Sequence, residues 1–149
     1  ALPYAQGSRW VIREQLVELQ KVFPTLGIHV DEYCTTDGRC MNYLKAQGTI
    51  PVHYQGAKYN IPIVLWVVEQ YPHMPPLAYV KPTANMVIKH GHSCVDNSGQ
   101  VSTPLLRSWS YGPNNTLVDV ILQMSQVFGA EPPLYSRQAA PPAPSPPPP

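Results

Sequence analysis

Ile12, Leu16, Leu19 and Phe23 recur at helical spacing, and Arg13, Glu14, Glu18 and Lys21 fall between them. This periodicity predicts an amphipathic helix, begun by a Ser8 cap and stopped at Pro24, where the ring removes a backbone donor. Beyond it the period shortens. The stretches "GIHVDEYC" (27–34) and "CMNYLKAQGTIPVHY" (40–54) predict two strands joined at Asp37-Gly38, a dipeptide suited to a tight hairpin. A second turn at Gln55-Gly56 leads into "YNIPIVLWVVEQ" (59–70), which is apolar on both faces and therefore predicted to be a central, buried strand. Pro62 stands near its beginning, where a missing donor is tolerable. The prolines of "YPHMPPLAYVKPTANMVI" (71–88) predict a mostly extended segment. A last helix is expected from Asn115-Thr116, with Thr116 and Asp119 forming a capping box. It would bury Leu117, Val120, Ile121, Met124 and Phe128, and Gly129 would end it. The order predicts an α+β domain: an N-terminal helix, a four-stranded antiparallel meander and a C-terminal helix, with the helices packed on one sheet.

Composition adds a boundary. Of the 149 residues, 1–138 can form one folded domain, whereas 139–149 ("AAPPAPSPPPP") supply nothing to bury and read as the start of a proline-rich, disordered linker in a longer chain. A formal net charge of +1, from 10 basic and 9 acidic residues, gives no footprint for nucleic acid. No apolar run approaches the ~20 residues of a membrane span, so direct membrane insertion is not expected. Cys34, Cys40 and Cys94 are odd in number and form no C-x-x-C pair, which reads as reduced thiols in a cytosolic protein. Cys34 and Cys40 nonetheless flank the "TTDGR" turn and could face each other across it.

Chemistry is suggested most strongly by "KHGHSCVDNSGQVSTPLLRSW" (89–109), where His90, His92, Cys94 and Asp96 alternate. On a straight strand these four donors would span roughly 20 Å, far too long for one coordination sphere. No metal site and no cofactor are expected.

The same stretch, preceded by "YPHMPP" (71–76), resembles the ubiquitin-conjugating-enzyme fold. Aligning Gly99 with the family's glycine puts His92, Ser93 and Cys94 at its His-Pro-Asn tripeptide and Ser102 at its nucleophilic cysteine. The resemblance therefore implies a vestigial active site at His92, Cys94 and Ser102. A serine hydroxyl without a strong base stays un-ionised at neutral pH. Replacing the oxyanion-stabilising amide by a weak thiol donor costs a further ~10²–10³ in rate. No catalytic residues are expected.

Two further blocks, Gly48 to Met86 and "VFGAEPPLYSR" (127–137), resemble the ubiquitin-conjugating-enzyme variant domain of the tumour-susceptibility-gene-type subunit of ESCRT-I, the endosomal sorting complex. That resemblance implies a non-catalytic module that binds Pro-Thr/Ser-Ala-Pro peptides and ubiquitin on ubiquitinated cargo. It also implies a cytoplasmic, endosome-associated setting and other ESCRT-I subunits as partners through regions outside this chain. The implied peptide groove has Thr49, Tyr54, Tyr59, Asn60 and Met86 on one wall and Pro132, Leu134, Tyr135 and Ser136 on the other. The implied ubiquitin site comprises Cys34, Thr36 and Asp37 at the hairpin and Tyr79 across from them. Each residue also has an ordinary role: Tyr54, Tyr59 and Met86 as half-buried strand residues, Asp37 in the turn, Tyr79 in packing. An alternative function is that of a conjugation cofactor pairing with an active conjugating enzyme.

Overall fold

Alternation in two long strands builds the interior. In the computed structural model, which describes residues 3–112 and 115–136, β2 (Cys40–Tyr54) pairs antiparallel with β3 (Ala57–Val67) along its distal two-thirds. Ala46, Ile50 and Val52 thereby share one face with Ile61, Ile63, Leu65 and Val67, all buried. The hairpin between these strands turns through Gln55 and Gly56 at φ 50° and 81°, the paired left-handed residues that match strand twist. Flanking β2 and β3 are β1 (Leu26–Cys34), β4 (Leu77–Val80) and the short β6 (Gln100–Val101), in the order β1-β2-β3-β4-β6. The sheet thus has five strands, not four. Its fifth is two residues long, too short to leave a periodic signature. A separate ribbon pairs β5 (Met86–Ile88) with β7 (Leu134–Ser136).

α1 (Gln6–Val22) and α3 (Leu117–Ala130) cover the inner face with Ile12, Leu16 and Leu19 from the first and Leu117, Val120, Ile121, Met124 and Phe128 from the second. Each such side chain contributes about 1.5–3 kcal/mol by leaving water. α1 stops before Pro24 as expected, but Ser8 does not cap it. The helix begins three residues earlier, Ala5 occupies the cap position without a side-chain bond, and Ser8 is buried in the first turn. Tyr4 braces this end, accepting from the Leu44 N–H at 2.7 Å and donating to the Val67 carbonyl at 2.6 Å. Burial pushes its phenol up to about 12.

The capping box at Thr116 and Asp119 is formed. Gly129, however, lies inside α3. A Cβ there would stand 2.8 Å from the backbone oxygen of His53, so the glycine marks where helix and β2 touch. The segment 71–88 contains β4 and β5 but opens in a turn, with the His73 N–H bonded to the Gln70 carbonyl at 2.8 Å. Cys34 and Cys40 correct the expectation of free thiols: they are directly paired in the β1–β2 ladder, their Cα atoms 4.1 Å apart, and form a disulfide. Cys94 is free. The linker expected from residue 139 lies outside the described residues.

Candidate functional site

The free end of the β2–β3 hairpin and the β5–β7 ribbon enclose a cavity of about 320 Å³. Val52 and Tyr54 from β2 and Tyr59, Asn60 and Ile61 from β3 line one side; Met86, Pro132 and Leu134 line the other. Six of these eight are groove residues expected from the sequence. Val52 and Ile61 were missed, since as apolar strand residues they look like core, and both are largely buried. Thr49 does not line the cavity. It pairs with Pro62, alternation puts it on the sheet face opposite Ile50 and Val52, and its carbonyl accepts the Thr25 hydroxyl at 2.5 Å. Tyr135 and Ser136 lie in β7 opposite Val87 and Met86, and their side chains fall outside the described residues.

What holds the second wall is a joint at Glu131, immediately after α3. Its carboxylate receives the Lys89 ammonium at 2.6 Å and the Ser93 hydroxyl at 2.7 Å. Those two groups, Lys89 first, hold the carboxyl down at about 2. The Lys89 N–H also donates to the Pro133 carbonyl at 2.6 Å, continuing the ribbon. His92 is buried beneath this joint, its ring edge-on to Phe128 at 6.0 Å. Its Nδ1 accepts from the Cys94 N–H at 2.9 Å, which leaves Nε2 as the donor to the Glu131 carbonyl at 2.5 Å. Both ring nitrogens are therefore committed to structure.

The positions that the resemblance aligns with the family's active centre lie in one loop and just past the strand beside it. The Ser102 N–H donates to the Cys94 carbonyl at 2.7 Å, so the two positions are adjacent, and the Ser102 side chain is exposed. Among the described residues nothing hydrogen-bonds its hydroxyl. Residues 90–96 form a looped segment and not the straight strand that their alternation suggests, with a left-handed turn at Gly91. Asp96 caps its own loop, accepting from the Ser98 hydroxyl at 2.6 Å and the Gln100 N–H at 3.0 Å, bonds that lower its carboxyl.

At the other end of β2, Cys34, Thr36 and Asp37 are exposed on the β1–β2 hairpin. Asp37 accepts from the Thr35 hydroxyl and from the Arg39 N–H, and these bonds, Thr35 first, lower its carboxyl. Tyr79 is joined to this hairpin through Tyr33, their hydroxyls 3.3 Å apart; burial and that contact push Tyr79 up to about 12. Tyr33 in turn meets Trp66 edge-on at 5.1 Å, and the Lys45 ammonium lies 5.1 Å from the same indole. Neither Tyr33 nor Trp66 was singled out in the sequence. Their signal was the second, outward-facing set of alternating positions on β1 and β3.

The antiparallel sheet covered by α1 and α3 defines a ubiquitin-conjugating-enzyme-like fold of the variant class. A sequence model of the UEV domain matches residues 2–136, and the chain belongs to that family. It is 45% identical to Protein ELC of Arabidopsis thaliana over 138 residues, 93% of this chain and 34% of that protein. It is 44% identical to the Tumor susceptibility gene 101 protein of Homo sapiens over 108 residues, 72% of this chain and 27% of that one. The chain thus spans about a third of the length of the curated relatives it matches. Among solved structures, the yeast vps23 UEV domain in complex with a vps27 PSDP peptide aligns with a TM-score of 0.69 at 20% identity, covering 96% of this chain and 88% of that one. The complex of the Vps23 UEV with ubiquitin aligns at 0.67 and 22%, covering 87% and 86%.

Proposed function

We propose that the cleft binds Pro-Thr/Ser-Ala-Pro peptides and that the β1–β2 hairpin, with Tyr79, binds ubiquitin, so that the domain links ubiquitinated cargo to proline-motif adaptors in endosomal sorting. The observation that carries the reading is the convergence of Tyr54, Tyr59, Asn60, Met86, Pro132 and Leu134, distant in sequence, on one apolar cleft. Flat aromatic walls suit proline, and a polyproline conformation loses little further entropy on binding. Among the described residues β7 pairs only with β5, which leaves backbone groups on its other side for an extended ligand. The vps23 UEV structures, one with a PSDP peptide and one with ubiquitin, support both halves of the proposal. The printed name of the Dictyostelium discoideum relative, "ESCRT-I complex subunit tsg101", supports a place in that complex, with the other subunits held by regions beyond this chain. In this reading the protein works in the cytoplasm at endosomes, residues 1–138 are the recognition unit, and 139–149 begin a linker.

A four-residue motif gives a small interface, so the expected peptide Kd is roughly 10–100 μM, about 5.5–7 kcal/mol. Titration of the domain with Pro-Thr-Ala-Pro and scrambled peptides tests this. Tyr54→Ala and Met86→Ala are expected to weaken binding by roughly tenfold or more while the fold is kept; unchanged affinity in both would remove the cleft as the site. Ubiquitin titration should perturb Thr36, Asp37 and Tyr79 selectively, and shifts confined elsewhere would reject the hairpin site.

A further inference from the structure

We propose that reduction converts the hairpin disulfide, together with Glu32, into a binding site for a thiophilic divalent cation of the zinc class. The site shares Cys34 with the proposed ubiquitin surface, but its argument uses neither the peptide nor the ubiquitin reading. Glu32, Cys34 and Cys40 each present one ligand atom, and these atoms lie within 4.8 Å of one another. Among the described residues this is the one such group of three. The ladder explains the convergence: Cys34 is directly opposite Cys40, and Glu32, two residues back on β1, shares the Cys34 face and stands opposite Asn42. Tetrahedral zinc with bonds of about 2.3 Å holds two thiolates roughly 3.8 Å apart, a separation that paired β-bridge positions supply once the covalent bond is opened. The carboxylate is the third donor, leaving one position for water or the Asn42 amide oxygen. Two thiolates and one carboxylate favour zinc over magnesium or calcium, whose spheres are built from oxygen.

All three residues are exposed. A dithiol reductant can therefore reach the sulfurs. It delivers two electrons and two protons to the disulfide, giving two thiols, and is itself oxidised to a disulfide. The cation then displaces one proton from each thiol to solvent and binds both sulfurs. The metal takes over the cross-strand link beside Thr36 and Asp37, so the hairpin tip remains stapled in either redox state.

The test uses the full 149-residue chain, reduced and freed of reductant under argon, titrated with Co(II) and then Zn(II). A thiolate-to-cobalt charge-transfer band saturating at one equivalent, bleached by zinc and absent from the oxidised chain, is expected. Cys40→Ser should abolish it, Cys94→Ser should leave it unchanged, and Glu32→Gln, which keeps both thiols, should weaken binding several-fold. No band in the reduced chain, a band that survives Cys40→Ser or requires Cys94, or unchanged affinity in Glu32→Gln would each overturn the three-residue site.

Discussion

Gly129→Ala sets two physical effects against each other. In an ordinary helix interior this substitution stabilises by about 1 kcal/mol, because alanine has less backbone entropy to lose. Here the new methyl would meet the His53 carbonyl oxygen at 2.8 Å, closer than non-bonded carbon and oxygen tolerate, and the atom it meets is backbone in a paired strand. Neither side has a flexible end to yield, so α3 must move off β2. Core overpacking of this kind costs about 1–3 kcal/mol. The shift is also expected to disturb Phe128 and the Ser125 hydroxyl bond to Pro51, 2.6 Å long, both of which lock α3 onto the sheet. The net expectation is a loss of up to about 2 kcal/mol, or up to roughly 8 °C in Tm. Because His53 adjoins Tyr54 and Glu131 follows α3, peptide affinity should fall with it. Chemical denaturation with an unchanged m-value, alongside peptide titration, measures both. A variant more stable than the parent would refute the contact and return Gly129 to being a weak helix residue.

Phe128→Ala should cost about 3–5 kcal/mol in denaturant unfolding, since a fully buried ring is lost and His92 loses its neighbour. Thr116→Ala removes one arm of the capping box and should cost about 1 kcal/mol, read by the same assay. Glu131 has a folded-state carboxyl near 2 against an ordinary 4.5, so its pairing stabilises the fold above the ordinary value and is lost as pH falls from about 4.5 towards 2. Across that window Tm should drop more steeply in the parent than in Glu131→Gln, and parallel profiles would argue against the joint.

The long elements were readable because each carries many repeats of one period. Helix α3 announced both its buried stripe and its cap, and the two hairpins announced their turns through Asp37-Gly38 and Gln55-Gly56. What escaped was whatever depends on distant contacts. Gly129 reads locally as a terminator, and only the approach of His53 makes it an interior residue. Ser8 resembles a cap, yet burial of the first turn carries the helix past it. The six cleft residues came from resemblance, since apolar and aromatic residues at strand ends carry no local mark distinguishing a groove wall from a core. The disulfide was within reach of the hairpin register, which pairs Cys34 with Cys40 once the turn is placed, but the odd cysteine count pointed the other way.

Strand β2 begins at the disulfide-closed tip and ends at Tyr54, fourteen residues later, so the two proposed binding sites sit at opposite ends of one strand roughly 45 Å long. In the proposed two-site reading it acts as a molecular ruler. A cargo chain that carries both a ubiquitin and a proline motif must bridge that distance, which takes about 14 residues at full stretch and on the order of 70 in a flexible coil before the span matches its natural extension. Shorter tethers exclude simultaneous engagement by one chain, and the domain then reads two separate molecules instead of one.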